Sequence, residues 1–149
     1  MRYRETGEVH RDFHLSTNNM IHFTLERYGK DFLRELMRRT AQDVYKDIYM
    51  HLKAGDWSEL LEHWKYFHER EGGKACYTYT ETADALVFHV LDCPAARHLE
   101  NKGVAVTDEF RLPDILMNEA WSEGTPFQIT TEVLGPAEYR QTVTRRKAT

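Results

Sequence analysis

The strongest constraint on the fold is a change of sequence pattern at Gly72-Gly73. Before this pair, apolar residues recur every three or four positions, which is the period of an amphipathic helix. After it, short runs rich in β-branched and aromatic residues are separated by turn residues, which indicates strands. The order predicts an α+β fold, in which N-terminal helices pack on an antiparallel sheet of about four strands built from two hairpins.

The first part of the chain predicts three helices. They cover about 17–29, 31–53 and 57–71, and Asp56 is a good N-cap for the third. The repeat in the second helix predicts one buried face, formed by Phe32, Leu36, Met37, Val44, Ile48, Tyr49 and Leu52. In the third helix, the helical spacing of Trp57, Trp64 and Phe67 is typical of core residues.

The second part predicts two hairpins and two short helices. The strands are 75–80 with 86–92, turning at Ala83-Asp84, and 127–134 with 138–145, turning at Gly135-Pro136. The short helices cover 94–102 and 113–121, the first with proline at its favoured first position. We expect a single domain over 1–149, with a helical part at about 17–71 and the sheet with its short helices at about 74–145.

Composition limits the classes of function. The 149 residues are 41% hydrophobic and 30% charged, which is typical of one soluble globular domain. A net charge of -4 with mixed signs argues against nucleic acid as a partner, and Arg145-Arg146-Lys147 is interpreted as a solvated tail. With two cysteines, no apolar run long enough for a bilayer and no apolar stretch near the N-terminus, we expect a reduced, cytoplasmic protein without a membrane partner.

The first hairpin brings the two cysteines together. A tight turn at Ala83-Asp84 places Cys76 opposite Leu91, with Cys93 as the diagonal neighbour of Cys76. Strand alternation then predicts a core side and an opposite side that holds both cysteines and His89. The predicted core side consists of Tyr77, Tyr79, Leu86, Phe88 and Val90.

Cys93 also occupies the predicted N-cap of the helix that starts at Pro94. Free backbone N–H groups at a helix start stabilise a thiolate, or bind a carboxylate of a ligand instead. The alternative is that Cys93 only packs, since free cysteine is among the most buried residue types.

The eight histidines raise the question of a metal site. His10 with His14, and His63 with His68, are spaced to share helical faces. No HExxH or CxxC motif accompanies them, and a zinc or iron site needs three or four converging ligands. We therefore predict neither a metal site nor a cofactor.

The chain resembles the L-2-amino-thiazoline-4-carboxylic acid hydrolase family. The resemblance rests on the strand that enters a cysteine, Phe88–Pro94, on Gly103, on a polar helix start at Asp108, and on the closing hairpin from Phe127 to Arg140. Family members commonly carry two further cysteines, and this chain has Ala105 and Arg140-Gln141 in those regions.

The resemblance implies ring-opening hydrolysis of a cyclic, amidine-like thiazoline. Cys93 would attack the substrate or line the site, Asp108 would position water, and His89 or His98 would pass protons. Arg97 or Arg140 would hold the substrate carboxylate, and Cys76 would form part of the pocket wall.

Two other classes of function remain open. Helices ahead of an antiparallel sheet also resemble the V4R ligand-binding domain, which implies a non-catalytic sensor of small molecules. The weaker alternative is an assembly protein, a homo-oligomer whose exposed sheet face pairs with itself.

Overall fold

A computed structural model describes residues 12–147 and has an α+β fold. Helices come first, and an antiparallel four-stranded sheet follows, with two helices inserted between its hairpins. The helices are α1 (Asp12–Arg39), α2 (Lys46–Lys53), α3 (Ser58–Gly72), α4 (Pro94–Asn101) and α5 (Asp108–Ser122), and the strands are β1 (Tyr77–Glu81), β2 (Ala85–Val90), β3 (Phe127–Val133) and β4 (Tyr139–Arg145). No helix within residues 12–147 is long and apolar enough to cross a bilayer.

The sheet joins the two predicted hairpins edge to edge. Its strand order is β1-β2-β4-β3, with every neighbouring pair antiparallel. In the first hairpin Tyr77 pairs with Val90, and the Leu91 N–H donates to the Cys76 carbonyl at 2.8 Å. The predicted register, with Cys76 opposite Leu91, is therefore confirmed. The predicted placement of both cysteines opposite the core is wrong, because they lie just outside the strands and are buried in the main core.

One face of the sheet forms the main core with the helices. Phe88, Val90, Phe127, Ile129 and Val143 are fully or almost fully buried there. They belong to one cluster with aromatic and aliphatic side chains of the helices, among them Trp57, Leu60, Leu61, Trp64 and Trp121. A smaller cluster of Ile21, Leu33, Met37 and Leu116 joins α1 to α5.

The helices are more broken than the sequence predicts. Gly29, the predicted end of the first helix, marks a kink with φ 81°, a conformation that favours glycine, and α1 continues beyond it. The predicted 31–53 helix is wrong as a single element, because a π-helical turn at Thr40–Val44 divides it. In that turn the Tyr45 N–H donates to the Thr40 carbonyl at 3.0 Å, and the Trp121 indole donates to the Ala41 carbonyl at 3.0 Å.

Several side chains predicted to be buried are exposed. Phe32 and Val44 are 51% and 73% exposed, because the kink and the π-helical turn rotate the predicted face away from the core. Tyr79 lies on the edge strand β1 and is also exposed, whereas the four other predicted core residues of the first hairpin are buried. Phe67 is half exposed, at the end of α3.

Two further predictions need correction. The helix predicted from Pro113 begins at Asp108 instead, because the acidic residues Asp108 and Glu109 favour a first helical turn and Phe110 is buried. Arg145 and Arg146 are not a free tail, since the Arg145 Nε donates to the Ala83 carbonyl at 3.0 Å and the Arg146 Nε donates to the Phe127 carbonyl at 2.8 Å.

Candidate functional site

A cavity of about 260 Å³ lies between the helices and strand β4, next to the main core. This volume is close to the lower end of the range for small-molecule sites in proteins. Its lining comes from α1, α3, the start of α4, α5 and β4. The lining is mostly apolar and aromatic, and its polar members include His63, His68, Cys93, Arg111, Asp114, Asn118, Tyr139 and Gln141.

Arg111, in the first turns of α5, is the charged group buried in this cavity. The residue is 4% exposed, and its guanidinium lies 4.1 Å from the centre of the Tyr139 ring and 5.0 Å from that of Phe110. Its Nη1 donates to the Asp114 carboxylate at 3.2 Å. Within residues 12–147, its buried Nε and Nη2 have no hydrogen-bond partner.

The positive charge of Arg111 is only partly balanced. Burial lowers the pKa of Arg111, but Cys93, Tyr139 and Asp114, which favour the cation when they are ionised, raise it by more, so the net pKa is raised and the group stays charged. Its carboxylate partner, the Asp114 side chain, is 42% exposed. Apart from Asp114, the acidic groups next to the guanidinium are the Cys93 thiol and the Tyr139 hydroxyl.

Cys93 lies beside this guanidinium. It is 3% exposed and has an extended backbone at the N-cap of α4, as the sequence predicts. Its own N–H donates to the Ala137 carbonyl at 2.7 Å, which fixes the end of β2 against the turn before β4. Cys93 and Arg111 therefore both belong to the lining of the same cavity.

Tyr139 and His68 form a hydrogen-bonded pair next to the thiol. His68 Nδ1 lies 2.6 Å from the Trp64 carbonyl oxygen, so Nδ1 holds the proton and donates it. His68 Nε2 then accepts a hydrogen bond from the Tyr139 hydroxyl at 2.9 Å. Burial lowers the pKa of His68 and raises the pKa of Tyr139, so both groups are neutral at physiological pH.

His63 lines the cavity from α3 and is packed among aromatic rings. Its ring centroid lies 4.8 Å from those of Tyr45 and Phe67, and 6.1 Å from that of Trp121. Burial, and to a smaller extent His68, lower the pKa of His63 to about 4. The histidine is therefore uncharged near neutral pH.

Asn118 lies two helical turns after Arg111 on the same side of α5. Its Nδ2 donates to Gln141 Oε1 at 2.6 Å and to Thr131 Oγ1 at 2.8 Å. The residue is 1% exposed, and no group in the described part of the chain donates to its buried Oδ1. Asn118 thus links α5 to β3 and β4 at the wall of the cavity.

The structure places Cys76, Arg97 and His98 around a second, smaller cavity of about 210 Å³. The Cys76 thiol is buried and donates to the His68 carbonyl at 3.6 Å. Arg97 is exposed and paired with Asp92 at 2.5 Å and Glu100 at 2.7 Å, so its charge is balanced at the surface. His98 Nε2 lies 3.8 Å from Asp12 Oδ1.

The remaining residues predicted for the site lie away from both cavities. His89 and Arg140 are neighbours on the outer face of the sheet, paired with Glu138 at 2.8 Å and Glu132 at 2.9 Å. Asp108 is the exposed first residue of α5. Of the seven residues predicted for the site, Cys93 is the one that lines the larger cavity.

Sequence reasoning missed Arg111, Asp114 and Asn118. The apolar periodicity predicts a helix over 113–121 only, so it assigns Arg111 to no helical face. The signal was present in the spacing 111, 114, 118 and 121, which puts one basic, one acidic and one amide side chain in line with Trp121. Polar residues on the core-facing side of an amphipathic helix are unusual, and they indicate a site.

Metal binding has no structural support within residues 12–147. No group of three or more His, Cys, Asp or Glu side chains converges there. His14 pairs with Glu71 at 2.6 Å, and His10 lies outside the described residues.

Comparison of the chain with protein-family models, curated proteins and solved structures found no match.

Proposed function

We propose that the larger cavity binds a small organic acid and that Cys93 acts on it as the nucleophile of a hydrolase. The observation that carries this proposal is Arg111, buried with two unpartnered N–H groups beside the Cys93 thiol. A carboxylate held by the guanidinium fork would lie next to the sulfur. Cysteine is a strong nucleophile, and the Cys93 sulfur lies beside the guanidinium.

The resemblance to thiazoline hydrolases supplies a reaction of the right kind. In the proposed reaction the Cys93 sulfur bonds to the ring carbon between nitrogen and sulfur. The attack moves the carbon–nitrogen π electrons onto nitrogen; they re-form the double bond as the ring carbon–sulfur bond breaks. The substrate sulfur leaves with the electron pair of that bond and takes up the proton that the Cys93 thiol has lost. Water adds to the same carbon and displaces Cys93 as the thiol, so the net change is the addition of one water.

The Tyr139–His68 pair is suited to moving a proton in this sequence. The Tyr139 hydroxyl points its hydrogen at His68, which leaves its oxygen lone pairs free to accept a hydrogen bond from the cavity side. A neutral His68 accepts the proton passed through Tyr139 and returns it to the leaving sulfur.

The direct test is turnover of L-2-aminothiazoline-4-carboxylate, with release of N-carbamoyl-L-cysteine as the signal. We expect measurable turnover in the wild type, a loss of about 1,000-fold or more in Cys93→Ser, and a change below about threefold in Cys76→Ser. Cys76→Ser is the matched control because both thiols are buried. Equal rates in the wild type and Cys93→Ser would remove Cys93 as the nucleophile.

The second candidate is a non-catalytic sensor of organic acids. The near-complete burial of Cys93 and the mostly apolar lining favour it, since a binding module needs no thiol exposed to water. Tight binding of an acid that depends on Arg111 and not on Cys93, without any turnover, would support the sensor over the hydrolase.

A further inference from the structure

The sheet has two edge strands, β1 and β3, and their outer edges are covered to different extents. An open edge presents a row of unpaired backbone groups, and natural proteins commonly cover or block it. On the β3 edge, the Ile129 N–H donates to Ser122 Oγ at 2.8 Å, and the Phe127 carbonyl accepts from Arg146 Nε at 2.8 Å. Side chains from the end of α5 and from the residue after β4 therefore close part of this edge.

The β1 edge is open. The Thr82 N–H donates to the Ala85 carbonyl at 2.8 Å, which fixes the alternation of hydrogen bonds along the hairpin. By this alternation, Tyr79 and Glu81 direct their backbone N–H and C=O groups away from β2. These outward groups have no hydrogen-bond partner among residues 12–147. The last four residues of β1 are exposed, so the edge is accessible.

The strand also lacks the features that commonly prevent strand pairing. Its sequence, YTYTE, contains neither proline nor lysine. Its charged residue, Glu81, accepts a hydrogen bond from Trp57 Nε1 at 2.6 Å, so this side chain is held against the helical layer. The Tyr79 ring is 43% exposed. An unpaired extended backbone of this kind fits another extended strand, which supplies the missing donors and acceptors.

The sequence of β1 is complementary to a second copy of itself. Antiparallel pairing of the whole strand puts Tyr79 opposite Tyr79 of the second copy, Thr78 opposite Thr80, and Tyr77 opposite Glu81. Aromatic pairs and threonine pairs stabilise neighbouring strands, and no like charges face each other. The outward backbone groups of the two strands also face each other in this register. Because such registers differ by two residues, any other register pairs at most three of the five residues.

We propose that two copies of the chain pair through their β1 edges and form a dimer with one continuous antiparallel sheet of eight strands, four from each copy. The interface is isologous, since the same strand lies on both sides, and it closes with two-fold symmetry. A five-residue edge is small compared with the roughly 800 Å² per partner of a standard interface. We therefore expect a weak dimer, with a dissociation constant on the order of 100 µM.

Sedimentation velocity of the full chain, from about 5 µM to about 1 mM, measures this equilibrium. We expect the wild type to change from monomer to dimer over the range. Tyr79→Pro should weaken the dimer by at least about 10-fold, because it removes the central outward N–H and leaves the bonds between β1 and β2 intact. Val133→Pro is the matched control, since its N–H points outward from the opposite edge, and it should change the dissociation constant by less than about twofold.

Tyr79→Lys covers the case in which Tyr79→Pro does not fold. It keeps the backbone N–H but puts two like charges opposite each other at the two-fold axis, so it should also weaken the dimer. A wild type that stays monomeric over the whole range would overturn the proposal and leave the edge to a strand of another protein. A dimer that persists in both Tyr79 variants, or that is lost equally in Val133→Pro, would place the contact elsewhere and overturn it too.

Discussion

Cys93 and Cys76 are equally buried, at 3% and 5% exposure, but their surroundings differ. Cys93 lines the larger cavity beside a guanidinium with unused donors and a neutral tyrosine–histidine pair. Cys76 lines the smaller cavity, and its thiol is bonded to a backbone carbonyl. Burial, and then the neighbouring Cys93, raise the pKa of Cys76.

The comparison teaches that burial alone does not identify a functional thiol. The two cavities share Pro94 and Glu71 in their linings, so the cysteines lie in adjoining parts of the fold. The two thiols differ in the arginine that lies near each of them. The basic residue of the smaller cavity, Arg97, is exposed and paired with two carboxylates, whereas Arg111 is buried and only partly paired.

The largest expected difference is between the variants Arg111→Met and Arg97→Met in their affinity for an organic acid. Arg111→Met should weaken binding of an organic acid such as octanoate by about 100-fold, because the buried anchor for the carboxylate is lost. Arg97→Met should change the same dissociation constant by less than about twofold, because that charge is screened and paired at the surface. Calorimetric titration measures both.

The stability of Arg111→Met distinguishes a binding role of Arg111 from a structural one. Its partner Asp114 is already partly exposed, so removing the guanidinium leaves no buried charge without a partner. We expect the free energy of unfolding to stay within about 1 kcal/mol of the wild type or to rise. A loss of several kcal/mol in denaturant titration would instead make Arg111 a structural residue.

The next effect concerns pH and His63. Because the folded pKa of about 4 lies below the usual 6.5, the unfolded chain binds a proton between these values and the folded chain does not. Stability from this group is complete above about pH 6.5 and is lost as the pH falls towards 4. The loss amounts to up to about 3 kcal/mol. His63→Gln should flatten the curve of unfolding free energy against pH over this window, and an unchanged slope would contradict the buried, neutral state.

The smallest effects are expected on the outer face of the sheet. His89→Gln and Arg140→Gln each remove one exposed or half-exposed ion pair, which contributes about 0 to 1 kcal/mol. Neither should change turnover or acid binding by more than about twofold. A large loss of turnover in either variant would move the site from the cavity to this face.

The hairpins could be predicted from the sequence because their determinants are local. The turn at Ala83-Asp84 and the alternation of Leu86, Phe88 and Val90 specify the register, and the structure has that register. The same alternation puts His89 on the outer face, away from the core. Cys76 and Cys93 lie just outside the strands, where alternation no longer applies, and both turn into the interior.

The site could not be predicted in the same way, because it depends on contacts between distant segments. Arg111 belongs to the cavity only because α5 packs against β4 and against the start of α4. The family resemblance implies Arg97 or Arg140 as the carboxylate anchor. In the folded chain both arginines are already paired with carboxylates, which are those of Asp92, Glu100 and Glu132.

The central claim is that Arg111 and Cys93 form one site for an organic acid. It is tested most directly by the alkylation rates of Cys93 with iodoacetate and iodoacetamide, in a Cys76→Ala background. The two reagents differ in charge and little in size. A thiolate without a nearby cation repels the negatively charged iodoacetate. The positive charge of Arg111 instead attracts iodoacetate to the neighbourhood of Cys93.

We predict that Cys93 reacts faster with iodoacetate than with iodoacetamide, and that Arg111→Met reverses this preference. If iodoacetamide is the faster reagent in both forms of the protein, Arg111 does not draw anions to Cys93. If Cys93 is inert to both reagents in the folded chain, the cavity holds a packing cysteine and Cys93 is not a nucleophile.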